Sequence, residues 1–188
     1  MIQTKEDLRN YLSEDFRFYV NKPGLRERIL KTERFYSYKF VYTLRHYEYA
    51  LNNKRGLWGF TRYAWWMFRF YRIMHKTQIY IYPNVCDAGL YLPHVGYLLI
   101  SAQATIGRNC TIRPGTLIAS NLGTSNTKLR KVTVGDNVDF SSGCKILCKK
   151  IGNNVSVGPN AVVTKNVADN SIVMGNPATI VPKINLND

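Results

Sequence analysis

Ile100-Ser-Ala-Gln-Ala-Thr, Ile106-Gly-Arg-Asn-Cys-Thr, Ile112-Arg-Pro-Gly-Thr-Leu and Ile118 form a series in steps of six. After a break it resumes at Val134, Phe140 and Ile146, and after one short step it ends at Ile151, Val157 and Val163. Helices repeat their apolar residues at three and four, and strands at two. A six-residue period with one aliphatic residue per step is the mark of a left-handed parallel β-helix, a triangular prism in which each hexad is one flat side. Three hexads make a coil of about 18 residues, and fixed periods of this kind outrank local propensity. The repeated aliphatic points into the prism and stacks on its equivalents in the coils above and below, about 4.8 Å away. Gly107, Gly135, Asn137, Gly143, Gly152, Asn153 and Gly158 supply the corners, where a Cβ is often strained. The competing reading is a β-sandwich of short strands. It would alternate in twos with turns every 8 to 12 residues, as is usual for such folds, and would not hold a six-residue phase. The fold class expected is mainly β with an α-helical N-terminal part: helices over 1–76 and a single-stranded left-handed β-helix over 77–188.

Lys and Arg number 26 against 12 Asp and Glu. The surplus is uneven: residues 1–76 carry 16 basic and 7 acidic side chains, and 19 of the 24 aromatic residues. Such a balance points to anionic partners. There is no helix-turn-helix, no paired-cysteine zinc pattern and no RNA-binding aromatic motif, which argues against nucleic acid. The start, Met1-Ile-Gln-Thr-Lys-Glu-Asp, lacks the pattern of a signal peptide, and no apolar run is long enough to span a bilayer. Cys86, Cys110, Cys144 and Cys148 lack metal-ligand spacing, so they read as buried or edge thiols of a cytoplasmic protein with no metal.

Within the first part, Thr4-Lys-Glu-Asp7 has the form of a capping box opening a short helix. A second helix is expected from Leu25 to Leu51, with Ile29, Leu30, Phe35, Phe40, Leu44 and Tyr47 facing inward. A third, from Trp58 to Lys76, is crowded with Trp, Phe, Tyr and Arg. It reads either as packing against other helices and neighbouring subunits, or as a peripheral contact with the inner face of a membrane.

His94 stands six residues before Ile100 and yet is not aliphatic. A position that breaks a local rule is where function is expected. An imidazole titrating near neutrality can take a proton from a hydroxyl and return it to a leaving group. The alternative is a histidine that merely fills a coil corner. His46 and His75 have no partner motif and read as incidental.

The stretch His94-Val-Gly-Tyr-Leu-Leu-Ile-Ser101 resembles the signature of serine acetyltransferases, in which a His is followed by a Gly-containing pair and an aliphatic run. It is closer still to the serine-acetyltransferase-like enzymes of polysaccharide gene clusters, as is Asn84-Val-Cys-Asp-Ala-Gly-Leu90 before it. Val162 to Ala178, ending Met-Gly-Asn-Pro-Ala, is similar to the close of the maltose and galactoside O-acetyltransferases. The resemblance to this hexapeptide-repeat acyltransferase superfamily covers about residues 78–182. It implies a homotrimer using acetyl-CoA, with each site between adjacent prisms and the His as general base. His94 takes that role by position. Ser142 falls on a family position near the acetyl group. Gly158, Thr164 and Lys165 fall on positions lining the CoA groove, with Lys165 toward a CoA phosphate.

The chain also departs from that pattern. Serine acetyltransferases carry an Asp directly before the His, where this chain has Pro93. They carry a second Asp in the preceding coil, near Tyr80 here. They carry a further His on the interrupting loop, where residues 119–131 offer Lys128, Arg130 and Lys131. A backbone carbonyl or Asp87 is then expected to orient His94. The three loop cations suit a phosphate-bearing acceptor. Ile118 and Val134 are 16 apart, not a multiple of six, so the loop is expected to project toward the CoA or acceptor of a neighbouring subunit. Serine acetyltransferases that dock a sulfhydrylase usually end in Ile, whereas this sequence ends Asn185-Leu-Asn-Asp188. The leading expectation is an O-acetyltransferase acting on a hydroxyl of a sugar or polysaccharide precursor. The alternatives are a serine O-acetyltransferase and a non-catalytic β-helix scaffold.

Overall fold

The computed structural model describes residues 1–19, 22–119 and 131–183. The elements follow in the order α1 (Lys5–Phe16), α2 (Leu25–Leu30), α3 (Glu33–Asn52), α4 (Gly56–Thr77), β1 (Ile79–Tyr80), β2 (Leu98–Ile100), β3 (Ala104–Ile106), β4 (Thr111–Ile112), β5 (Leu117–Ile118), β6 (Val132–Val134), β7 (Asp139–Phe140), β8 (Lys145–Ile146), β9 (Lys150–Ile151), β10 (Ser156–Val157), β11 (Val162–Val163), β12 (Ser171–Met174) and β13 (Thr179–Pro182).

The strands stack into three parallel faces, each closed along the prism axis by backbone hydrogen bonds. One runs β1-β2-β5-β8-β11, a second β3-β6-β9, and the third β4-β7-β10-β12 with β13 added antiparallel. The register places Ile100 beside Ile118, Ile118 beside Ile146 and Ile146 beside Val163. On the second face Ile106, Val134 and Ile151 line up, and on the third Ile112, Phe140 and Val157, continued by Val173. Every member of these columns is buried. Each contributes on the order of 1.5–3 kcal/mol of hydrophobic burial. Asn109, Asn137, Asn154, Asn160 and Asn170 sit at corners with positive φ, the backbone region that Asn tolerates better than most residues.

The expected helix over 25–51 is two helices. Lys31 adopts a left-handed conformation at the end of α2, and Thr32 then caps α3, its hydroxyl accepting from the Phe35 N–H. The split leaves Ile29 and Leu30 exposed rather than inward, whereas Phe40, Leu44 and Tyr47 are buried as expected. The Thr4–Asp7 capping box forms, and the two backbone N–H groups of Thr4 and Gln3 on the Asp7 carboxylate hold its pKa below the usual range. Helix α4 turns Phe70, Ile73 and Met74 inward and Trp58, Phe60, Trp65 and Phe68 outward. No helix among the described residues is long and apolar enough to cross a membrane.

One hydrophobic cluster runs from Phe40, Leu44 and Phe70 into the prism core. A polar knot reinforces the junction. Arg45, wholly buried, pairs with Asp15 at 2.7 Å and Glu48 at 2.9 Å and donates to the carbonyls of Cys86 and Asp87. Asp15 in turn accepts from the N–H groups of Gly89 and Leu90. The helices thereby grip the first coil, which carries His94.

Candidate active site

Two parallel pairings fix where His94 lies. Tyr91 bridges Thr111 on the third face, and Leu99 pairs with Leu117 on the first. The chain takes eight residues from Tyr91 to Leu99 but six from Thr111 to Leu117 in the coil below. The inward residue above Ile112 is therefore Leu92, which is wholly buried. His94 is not a member of the inward series, as its spacing from Ile100 suggested. It sits on an enlarged corner, its side chain 59% exposed. Counting forward from Tyr91 sets His94 over Pro114, and counting back from Leu99 sets Gly96 there, where a Cβ would lie 3.2 Å from Pro114 Cβ. The enlarged corner that holds His94 thus stands above Pro114 and, one coil further, Ser142. His94 and Ser142 are thus about 10 Å apart along the axis, two strand spacings.

The helices hold this corner at several points. Ser37 and Tyr19 donate to the Leu92 carbonyl, the latter at 3.2 Å. The Gly96 N–H donates to the Thr77 carbonyl at the end of α4. Glu33, the first residue of α3, accepts from the Val95 N–H at 3.0 Å, and the same Oε1 stands 3.2 Å from His94 Nδ1. An acidic residue in the first helical turn is favoured by the helix dipole. A carboxylate oxygen accepts, so Nδ1 is the donor in this pair, and a neutral ring then has its lone pair on Nε2. Both side chains are at least half exposed in the single chain, where such a pair adds little stability. Its value lies in the ring orientation it sets.

Asp87 is engaged elsewhere: it accepts from the Tyr11 hydroxyl at 2.6 Å and from the Ala88 N–H. The carboxylate on the His94 ring is Glu33, which the sequence reading did not single out. Its signal was present in Thr32-Glu33, a cap followed by an acidic residue, but a continuous helix over 25–51 concealed it.

The other expected site residues divide by edge. Ser142 is exposed, and its carbonyl accepts from the Asn160 N–H. Gly158 aligns with Ser141 in the next coil. A Cβ there would lie 3.0 Å from Met174 Cγ and 3.3 Å from the Val173 carbonyl oxygen. These residues share the edge of His94. Thr164 and Lys165 are exposed just past β11, at the opposite end of the first face. β11 is three strands from β2, about 14 Å along the axis. One chain therefore does not bring Lys165 beside His94. Lys131 is exposed, whereas Lys128 and Arg130 lie outside the described residues, as does most of the 119–131 loop. The corner holds three further polar groups: Lys145 Nζ donates to the Gly115 carbonyl at 2.6 Å, and Arg113 pairs with Asp139. The four cysteines are free and buried, and burial pushes the Cys110 thiol up to about 12. Among the described residues no group of His, Cys, Asp or Glu gathers as a metal site.

No family model matches the chain. It is 34% identical over 107 residues to the serine acetyltransferase of Mycobacterium tuberculosis, a match covering 56% of this chain and 46% of that protein. It is 28% identical over 146 residues to the serine acetyltransferase of Buchnera aphidicola, covering 77% and 52%. The chain thus spans about half the length of these curated relatives. Among solved structures, the soybean serine acetyltransferase apoenzyme superposes with a TM-score of 0.68 at 23% identity, covering 94% of this chain and 70% of that one. The serine acetyltransferase of Brucella abortus in complex with coenzyme A gives 0.67 at 21% identity, covering 96% and 68%. These likenesses establish the fold as a left-handed β-helix preceded by helices. In sequence over half its length, and in fold over nearly all of it, the chain resembles the hexapeptide-repeat acyltransferases, and among them the serine acetyltransferases.

Proposed function

We propose that the protein is an acetyl-CoA-dependent O-acetyltransferase, that His94 is its general base, and that serine is the acceptor its relatives favour. The observation that carries the reading is the His94 ring on an exposed prism edge with Glu33 on Nδ1. Nε2 is then available to take the acceptor hydroxyl proton as the oxygen attacks the thioester carbonyl. Collapse of the tetrahedral adduct breaks the C–S bond, and the same nitrogen returns the proton to the departing thiolate, so the imidazole ends unchanged. Ser142, on the same edge, is the group nearest the acetyl end, and Gly158 keeps the neighbouring coil clear of a side chain. Thr164 and Lys165 follow β11 and so stand on a different edge of the prism from His94, Ser142 and Gly158. They would complete a site with the edge of an adjacent prism, which is the reason to propose a homotrimer.

Serine as acceptor is supported by the names of the curated relatives, several of which are serine acetyltransferases. A second reading, a sugar or polysaccharide-precursor hydroxyl, is favoured by Pro93 and Tyr80, neutral where the serine enzymes carry carboxylates. The test is release of free thiol from acetyl-CoA with L-serine in one arm and sugar or nucleotide-sugar acceptors in the other. Turnover with serine supports the first reading, turnover with sugars alone the second, and no acceptor-dependent thiol release with either class overturns acetyl transfer. Cytoplasmic placement, at or near a membrane face, belongs to the same proposal.

A further inference from the structure

Between α2–α3 and α4 lies a cleft of about 410 Å³ lined by Arg28, Lys31, Lys39, Arg69, Arg72 and Lys76, with no Asp or Glu in its walls. None of the six cations forms an ion pair among the described residues. Aromatic faces hold four of them, and Arg28 donates to the Pro23 carbonyl at 3.0 Å. Arg69 lies over Trp65 and Trp66 at 5.6 and 5.4 Å, Arg72 over Phe68 at 5.5 Å, Lys76 over Tyr36 at 4.8 Å and Lys39 over Phe35 at 5.3 Å. Cation–π contacts position a cation without neutralising it. The Arg69 Nε–H is buried with no hydrogen-bond partner, an arrangement that costs free energy unless a ligand supplies an acceptor. Burial, with Arg69 and other cations nearby, depresses the Lys39 pKa, as expected where like charges gather with nothing to balance them. What balances these charges is a compact multiple anion. Guanidinium forks match phosphate oxygens, and the exposed Trp65 and Phe68 offer apolar surface beside them.

We propose that this cleft binds a phosphate or pyrophosphate ester whose remaining body lies against Trp65 and Phe68. The inference does not depend on acetyl transfer, since the cleft belongs to the helices and contains none of the residues assigned to His94 chemistry.

The test is titration of the intact protein, with CoA present at saturation, against inorganic pyrophosphate and UDP, and cosedimentation with phosphatidylglycerol or phosphatidylcholine vesicles. Three variants accompany it: Lys39→Gln with Arg69→Gln in the cleft, Arg72→Gln alone at its rim, and Lys149→Gln with Lys150→Gln on the prism. Binding to pyrophosphate or UDP identifies a soluble ester; binding to phosphatidylglycerol vesicles alone identifies a lipid headgroup as the phosphate source. In either case the cleft pair weakens binding by about tenfold or more, from the loss of charge-assisted hydrogen bonds. The rim variant, which removes no buried group, weakens it several-fold, and the prism pair leaves it unchanged. The proposal fails if no probe binds, if the prism pair loses as much as the cleft pair, or if saturating CoA abolishes binding. A misfolded cleft pair, detected by its melting curve, leaves Arg72→Gln as the deciding variant, with unchanged binding as the overturning result.

Discussion

Glu33 Oε1 stands 3.2 Å from His94 Nδ1 and accepts the Val95 N–H at 3.0 Å. A carboxylate from the first turn of a helix thus fixes both a ring nitrogen and the backbone beside it. Residues 61 apart in sequence meet because Ser37, Tyr19 and Thr77 tie the helices to the same corner. In this chain the orienting carboxylate comes from the helical part, and the prism supplies only the histidine.

His94→Ala removes the proposed base. General-base catalysis contributes about 10²–10⁴-fold, so acceptor-dependent thiol release should fall by about that factor. CoA affinity should be unchanged, and the melting temperature nearly so, because the side chain is 59% exposed. Steady-state rates beside CoA titrations check both; wild-type turnover on the true acceptor would remove the catalytic assignment.

Glu33→Gln keeps the size and a hydrogen-bonding oxygen but loses the charge. A hydrogen bond to a charged group is worth about 1.5–3 kcal/mol, which is about 10- to 100-fold in rate. The expected loss is in kcat, with KM for acetyl-CoA unchanged. Asp87→Asn should leave kcat alone, because that carboxylate serves Tyr11 and Ala88. The reverse ranking of the two variants would return the orienting role to Asp87.

The prism was legible because its cause is periodic. Each of the aliphatic residues from Ile100 to Val163 on the six-residue series is buried in the column expected of it. His94 was found by the same rule for a reason that does not hold, since its corner is two residues longer than the one below and Leu92 is the inward residue. A corner insertion shifts phase without any mark in composition. The Glu33 contact is a tertiary meeting that no spacing encodes. The cleft cations were visible as an excess of Arg and aromatics in the first part, but their convergence required the angle between α3 and α4.

The prism edge below His94 also constrains backbone. Gly115 has φ of 81° and would place a Cβ 2.9 Å from Gly143 Cα in the next coil. Gly115→Ala meets backbone, which cannot swing aside, and pays for a conformation that costs an L-residue about 1–3 kcal/mol. Thermal unfolding should show a loss of at least that size, whereas Thr164→Ala, exposed past β11, should show little. An unchanged melting temperature for Gly115→Ala would contradict the tight stacking at this corner.

Lys165→Ala should separate binding from chemistry in the opposite sense to His94→Ala. The residue is exposed at the far end of the first face, so stability should hold. Loss of one charge-assisted contact to a phosphate should weaken CoA binding by about tenfold, with the rate at saturating acetyl-CoA largely kept. Equal losses in both quantities would place Lys165 in the reaction itself and not in the groove.

Arg45 tests whether the helices and prism act as one unit. Its guanidinium is wholly buried between Asp15 and Glu48 and reaches the carbonyls of Cys86 and Asp87. Arg45→Met fills much of the volume but leaves two buried carboxyl groups without their cation. Breaking a buried pair from one side costs about 3–5 kcal/mol, mostly the penalty of the charge left behind. Denaturant unfolding should register that loss. Adding Asp15→Asn and Glu48→Gln to Arg45→Met removes the stranded charges and should recover a substantial part of it. The single variant should also lose acetyl transfer at temperatures where it remains folded, since Arg45 seats α3, and α3 carries Glu33 to His94. A destabilised Arg45→Met protein with full activity would mean that the Glu33 contact survives a loosened junction. An unaltered stability would mean that the buried knot contributes nothing to holding the two parts together.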